Sequence, residues 1–348
     1  MISIRLPRFS FRAGTFGFGL GTAAIFGIAL FFAIAELGFR RIWNEVTGVG
    51  IGLPAIMLVH VGQLAFCSLA WRSLFDRSTI DRQPRVWRLL ALRWIRESID
   101  GLLPVAHVGG EIVASRLLTM DRVPLPNGGA TIIADVTIET LTQALFTLFG
   151  LALIFLLADP GNVGRWAILG FGIALLLAGI VVLVQRWGGI RIFENILLAM
   201  ADRLGWNRLE GVAGLDLALR RVYRVRGRLF LAGLHHILAW SLGAGEVMIA
   251  AWALGYDLTI GQSYVIESLA QAIRSAAFFV PGAVGIQEGG FVVLAGLFGV
   301  PPDVALSMSL TKRVRELALG LPGLAAWQWE EVRLRRGRRM VEMATKVL

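Results

Sequence analysis

The residues able to do chemistry here are charges that fall inside apolar segments. Lys312, Arg313, Arg315 and Glu316 sit about 10 to 13 residues into a hydrophobic stretch, roughly 15 to 20 Å deep at 1.5 Å per residue. A charge at the centre of a bilayer costs about 2.5 to 3.5 kcal/mol on insertion scales, so four together must be paired, hydrated or used. Thr131, Asp135, Glu139 and Thr142 recur at three- and four-residue spacing and share one helical face. Glu267, Gln271 and Arg274 form a similar stripe, and Glu111 and Glu288 follow glycine pairs or precede them within apolar sequence. Such groups can hold an anionic headgroup, bind protons, or pair with one another and tie a bundle together. The buried acids are expected either to sense protons or to pair with Lys312, Arg313 and Arg315, with Lys312 and Glu316 one turn apart. Covalent chemistry is not expected: Cys67 is alone, and no phosphate-binding glycine loop is present. His60, His107, His235 and His236 are scattered, so neither a metal site nor a cofactor is expected.

Two breaks must position these charges. The first combines Pro104 with Gly109 and Gly110 just before Glu111, and the second combines Pro281, Gly282 and Gly285 just before Glu288. Unsatisfied backbone at bilayer depth costs several kcal/mol, so both are read as broken, re-entrant hairpins over 98–118 and 263–300, shielded by neighbouring helices. Their tips, near Val108 and Val284, are expected to face opposite sides of the membrane.

The composition demands a membrane around these breaks. Of 348 residues, 56% are hydrophobic and 17% charged, with a mean hydropathy of +0.69. The pattern predicts an all-α integral membrane domain with six full spans, near 16–37, 52–72, 128–158, 166–185, 229–254 and 303–329, and a basic cytoplasmic tail at 330–348. The first apolar run exceeds the roughly 7 to 15 residues of a signal h-region, so it is expected to remain as an anchor. The net charge of +10 invites a nucleic-acid reading, but most of the 34 Lys and Arg residues fall between spans on one side. That asymmetry predicts a bacterial inner-membrane protein with both termini cytoplasmic. The clusters Arg77 to Arg96 and Arg220 to Arg228 are then expected to orient the chain and touch anionic headgroups, with no role for nucleic acid.

A shift of 177 residues pairs Pro104 with Pro281, Glu111 with Glu288, Pro124 with Pro301, Asp135 with Lys312 and Glu139 with Glu316. Because the matched residues are the costly ones, and the charge count sets the two breaks in opposite orientations, an inverted repeat is expected. That architecture suits alternating access, with substrate bound where the broken helices meet.

The block from Ala276 to Trp329, containing FFVPGAVGIQEGGF and LFGVPPDVALSMSLTKRVRELALGLPGLAAW, resembles the hopanoid-biosynthesis-associated membrane protein family HpnL. That family is similar, more distantly, to the flippase-like membrane region of lysylphosphatidylglycerol synthases. ESIDGLLPVAHVGGEIVASRL, from Glu97, carries the same resemblance in the first half. It implies a lipid flippase or transporter linked to hopanoids or anionic phospholipids, and carries Glu111, Pro281, Gly282, Gly285, Glu288, Lys312 and Arg313 onto family positions. With no soluble aminoacyl-transfer domain before Leu348, aminoacylation of lipid is not expected. The alternatives are a lipid-binding accessory of a biosynthetic complex, or a membrane-embedded lipid phosphatase or transferase. The enzyme reading is disfavoured because Pro281 to Gly290 contains neither Ser nor Arg.

Overall fold

The computed structural model describes residues 48–76, 83–103, 109–157, 214–277, 283 and 285–347, with the side chains of 155, 216 and 334–347 set aside. The expected spans 16–37 and 166–185, the break residues Pro104, Pro281 and Gly282, and the tips Val108 and Val284 lie outside the described residues.

Everything regular among the described residues is helical: α1 Gly52–Ser73, α2 Val86–Leu102, α3 Gly109–Leu118, a 3₁₀ turn Thr119–Asp121, α4 Leu125–Leu157, α5 Leu215–Arg224, α6 Arg226–Ala253, α7 Ile260–Ala276, α8 Ile286–Gly296 and α9 Pro302–Val347. The starts follow from local chemistry. Pro126 and Pro302 stand in first turns, where a missing N–H costs nothing. Thr259 and Gln262 close a reciprocal cap on α7 at 3.3 and 2.9 Å. Gly285 adopts φ +82°, open to glycine, and donates its N–H to Glu288 at 2.6 Å to begin α8.

Among the described residues, three helices, α1, α4 and α6, are long and apolar enough to cross a membrane. Their outward faces carry Leu58, Leu145, Phe149, Leu156, Phe230 and Trp252, all exposed, as a hydrocarbon solvent requires. The expected span 303–329 lies within α9, whose helix runs unbroken through Pro322 to Val347. The segment 330–348, expected as a separate tail, continues that helix through 347.

α1 and α6 pack along each other antiparallel: Gly52 lies against Ala253, Gly62 against Leu242, and Phe66 against His235. Around this pair are two apolar cores. One gathers Ile56, Val247, Ala250, Ile266, Phe291 and Met308, from α1, α6, α7, α8 and α9. The other gathers Trp71, Leu92, Ile99, Leu117 and Ile132, from α1 to α4. α5 lays Leu215, Leu219 and Val222 on Ala130 and Ala134 of α4.

Candidate functional site

Between the two cores lies a layer of buried charge. On α1, Ile56 belongs to one core and Trp71 to the other, with His60 and Gln63 between them. The layer has two parts.

In the first part, Arg93 holds Glu139 with two guanidinium nitrogens, at 2.9 and 2.5 Å, and reaches Asp135 at 3.3 Å. Arg96 donates to Glu111 at 3.0 Å, Asp135 at 2.8 Å and Glu139 at 3.3 Å. The His236 Nε2 approaches the other Asp135 oxygen at 3.0 Å, and Asp135 is fully buried. The sequence expectation that Arg93 and Arg96 face headgroups is therefore corrected. α2 starts at Val86, well before the expected hairpin, and turns both arginines inward to neutralise Glu111, Asp135 and Glu139. The expectation that these acids pair with Lys312, Arg313 and Arg315 is corrected with it.

In the second part, Lys312 donates to Glu267 at 2.5 Å and lies 3.6 Å from Glu246. Arg315 donates to Glu246, and Arg274 donates to Glu316. Arg313 bridges Glu288 at 3.0 Å and Glu316 at 3.2 Å. Lys312 thus turns to α6 and α7, and the expected Lys312–Glu316 pair is replaced by Arg274 and Arg313 on Glu316. His60 joins the parts: its Nε2 is 2.7 Å from Glu97 and its Nδ1 is 3.1 Å from Glu246. Three arginine nitrogens of the layer, Arg93 Nε, Arg313 Nη2 and Arg315 Nε, are buried without a hydrogen-bond partner among the described residues.

The structure thus joins Glu111, Asp135 and Glu139 in one part and Arg274, Glu288, Lys312, Arg313, Arg315 and Glu316 in the other. Gly109 and Gly110 open α3, where the Gly110 N–H donates to Asp100 at 2.9 Å. Sequence reasoning missed Arg93, Arg96, Glu97, His60, His236 and Glu246. Only Glu246, a single acid within the apolar α6, left a signal. At one edge of the layer, Arg88 donates to Asp121 at 2.9 Å and Glu330 at 2.7 Å. Burial works against the Arg88 charge, and these two carboxylates outweigh it, holding its pKa above the usual arginine value.

Cys67, Glu139 and His236 bring donor atoms within 4.8 Å of one another, a spacing a metal ion could use. The charge environment opposes that use, because Arg93 occupies both Glu139 oxygens and Arg96 stands beside it.

What the layer can do follows from its energetics. Removing one partner of a buried pair typically costs about 3 to 5 kcal/mol, while the intact pair stabilises little relative to apolar packing.

Two membrane proteins of Methanothermobacter thermautotrophicus, both described as UPF0104 membrane protein, are similar to this chain. One is 25% identical over 287 residues, covering 75% of this chain and 80% of the relative. The other is 23% identical over 328 residues, covering 88% and 90%. No solved structure matches. Residues 19–323, containing both parts of the charged layer, match the family described as the lysylphosphatidylglycerol synthase TM region, and this chain is a member of that membrane family.

Proposed function

We propose that this protein moves a lipid between the leaflets of the plasma membrane, as a flippase-like transporter with both termini cytoplasmic and without covalent chemistry of its own. The carrying observation is the relation between its halves. The 177-residue shift lays α1 on 229–250, inside α6, and lays α2 on 263–279, overlapping α7. It lays α3 on 286–295, inside α8, and Leu125, which opens α4, on Pro302, which opens α9. Packing follows the same exchange: α2 lies on α9 as α7 lies on α4, and α1 lies antiparallel to its counterpart α6. Antiparallel counterparts are what an inverted repeat requires, with the charged layer at the seam where two halves would rock. The substrate class is an anionic phospholipid or a hopanoid-like lipid, as HpnL resemblance and the family's lipid context suggest.

Arg313 is the cation best disposed to an anionic group, because it joins a nitrogen with no described partner to a side chain 17% exposed, against 6% for Arg315 and 8% for Arg93. Losing a charge-assisted hydrogen bond of about 1.5 to 3 kcal/mol should slow exchange roughly tenfold or more. Arg313→Gln, reconstituted in vesicles with a fluorescent anionic phospholipid, is expected to show that loss at a temperature where the variant remains folded, since Glu316 keeps Arg274 and Glu288 keeps the Gly285 N–H. Undiminished exchange would sink the reading of Arg313 as substrate-binding, and wild-type protein without exchange of any lipid would sink transport. A second reading, a lipid-binding accessory, is favoured by one fact: every described cation of the layer already has a carboxylate partner. An accessory would bind lipid in those vesicles without exchanging it.

A further inference from the structure

Hydrogen-bond bookkeeping at His60 fixes a proton that the heavy atoms alone do not reveal. Glu246 is surrounded by donors. One oxygen takes Gln63 at 2.5 Å and faces His60 Nδ1 at 3.1 Å, and the other takes Arg315, with Lys312 at 3.6 Å. With the Arg315 and Lys312 cations both facing its second oxygen, Glu246 is held ionised, so His60 Nδ1 donates to it. The other ring nitrogen, Nε2, then faces a Glu97 oxygen at 2.7 Å. With Nδ1–H already assigned, a neutral imidazole would present a bare lone pair to an ionised carboxylate, which is repulsive. At 2.7 Å one more proton must lie between them, either on Nε2 or on Glu97.

The second histidine gives the contrast. His236 has an acid only at Nε2, at 3.0 Å from Asp135, and its Nδ1 has no hydrogen-bond partner among the described nitrogen and oxygen atoms.

The two ends of the His60 bridge differ in access. The Glu246 side chain is fully buried, whereas that of Glu97 is 41% exposed. The charged groups facing the bridge are Glu97 from α2, with Arg93 nearby on that helix, Glu246 from α6, and Arg315 and Lys312 from α9. Gln63, on α1 itself, completes the set. We propose that the gap between His60 Nε2 and Glu97 Oε1 is a binding site for one exchangeable proton, entered from the Glu97 side, whose filling and emptying accompany lipid movement. The second half of this inference rests on the transport reading; the first does not. Removing the proton leaves lone pair against lone pair, so Glu97 swings away and α2 is released from α1. The proton therefore acts as a latch between an α2 residue and the α1–α6 pair.

The test uses the full chain in phospholipid nanodiscs, labelled with ¹⁵N-histidine, with the His60 signal assigned from its loss in His60→Gln. At neutral pH, a protonated Nε2, or a protonated Glu97 carboxyl by infrared difference against Glu97→Gln, supports the site. It should empty as pH rises, with release of one proton per chain. A bare Nε2 beside an ionised Glu97 overturns the site, on wild-type protein alone. In Glu97→Gln the amide can donate to Nε2, so a neutral histidine there is the expected supporting result, and a doubly protonated one counts against the assignment. For coupling, vesicles carrying a fluorescent anionic phospholipid are given a pH gradient of one unit, a tenfold difference in proton activity. A wild-type exchange rate that responds to the gradient, with a response lost in Glu97→Gln, supports coupling. An active wild type indifferent to the gradient overturns coupling but leaves the proton site standing. Wild-type vesicles with no exchange in any condition overturn transport and coupling together, while the spectroscopic result is read independently.

Discussion

Asp135 shows how the layer distributes its charge. Its two oxygens serve Arg93, Arg96 and His236, donors from α2 and α6, in a fully buried position. Asp135→Asn would leave two guanidiniums short of a counter-charge, and a loss of about 3 to 5 kcal/mol in unfolding free energy is expected, measured by thermal unfolding in detergent. Lys312→Gln, which strands Glu267 and part of Glu246, should cost a similar amount. Arg313→Gln should destabilise less, because Glu316 keeps Arg274 and Glu288 keeps the Gly285 N–H, and its larger effect should fall on exchange. The sequence shows the acids plainly, because a carboxylate in an apolar helix is anomalous by type. Their partners were hidden: Arg93 and Arg96 lie in a segment rich in arginine and poor in apolar runs, where a solvated face is the ordinary reading. Only tertiary packing turns them inward, and histidines become significant only when carboxylates from other helices arrive at both ring nitrogens.

At the level of elements, proline and glycine marked where one helix ends and the next begins, at Leu102 and Gly109 and at Ala276 and Ile286, while the outer bounds of those helices were not legible. α2 is amphipathic and charged, so hydropathy places its start at the break, although its inward face begins at Arg88 and Leu89. Gly110 explains how closely α3 can return. A Cβ there would stand 2.5 Å from the Arg96 carbonyl oxygen, so Gly110→Ala must push α3 from α2 and disturb the Arg96–Glu111 bridge. A destabilisation of about 1 to 3 kcal/mol is expected, again by thermal unfolding. Gly243 plays a milder part, since a Cβ would lie 3.0 Å from a Glu267 side-chain oxygen rather than against backbone. Gly243→Ala should cost less than Gly110→Ala, and the reverse order would count against this account of close approach.

For the whole molecule, the membrane class followed from composition, and the matching order of helices in the two halves followed weakly from a few costly residues. What sequence could not supply is which helices cross-pack, because that depends on contacts between segments more than a hundred residues apart. Two such seams are closed by serine against glycine: Ser98 on Gly323 between α2 and α9, and Ser268 on Gly150 between α7 and α4. A Cβ at Gly323 or Gly150 would stand 2.8 or 2.9 Å from the serine Cβ, so Gly323→Ala and Gly150→Ala should each wedge a seam and lower the unfolding temperature. If the halves rock during exchange, both variants should also slow fluorescent-lipid exchange at a temperature where they remain folded. Unchanged exchange in both would show that the seams do not move. α9 makes any such movement visible at a distance. Its 46 residues span about 69 Å, more than twice the roughly 30 Å hydrocarbon core, and Glu316 stands some 21 Å from its start. About 46 Å of helix therefore extends beyond the charged layer as a lever arm. A tilt of only about 5° at the layer would sweep its far tip through about 4 Å, turning the exchange of a few ion-pair partners into a displacement outside the bilayer.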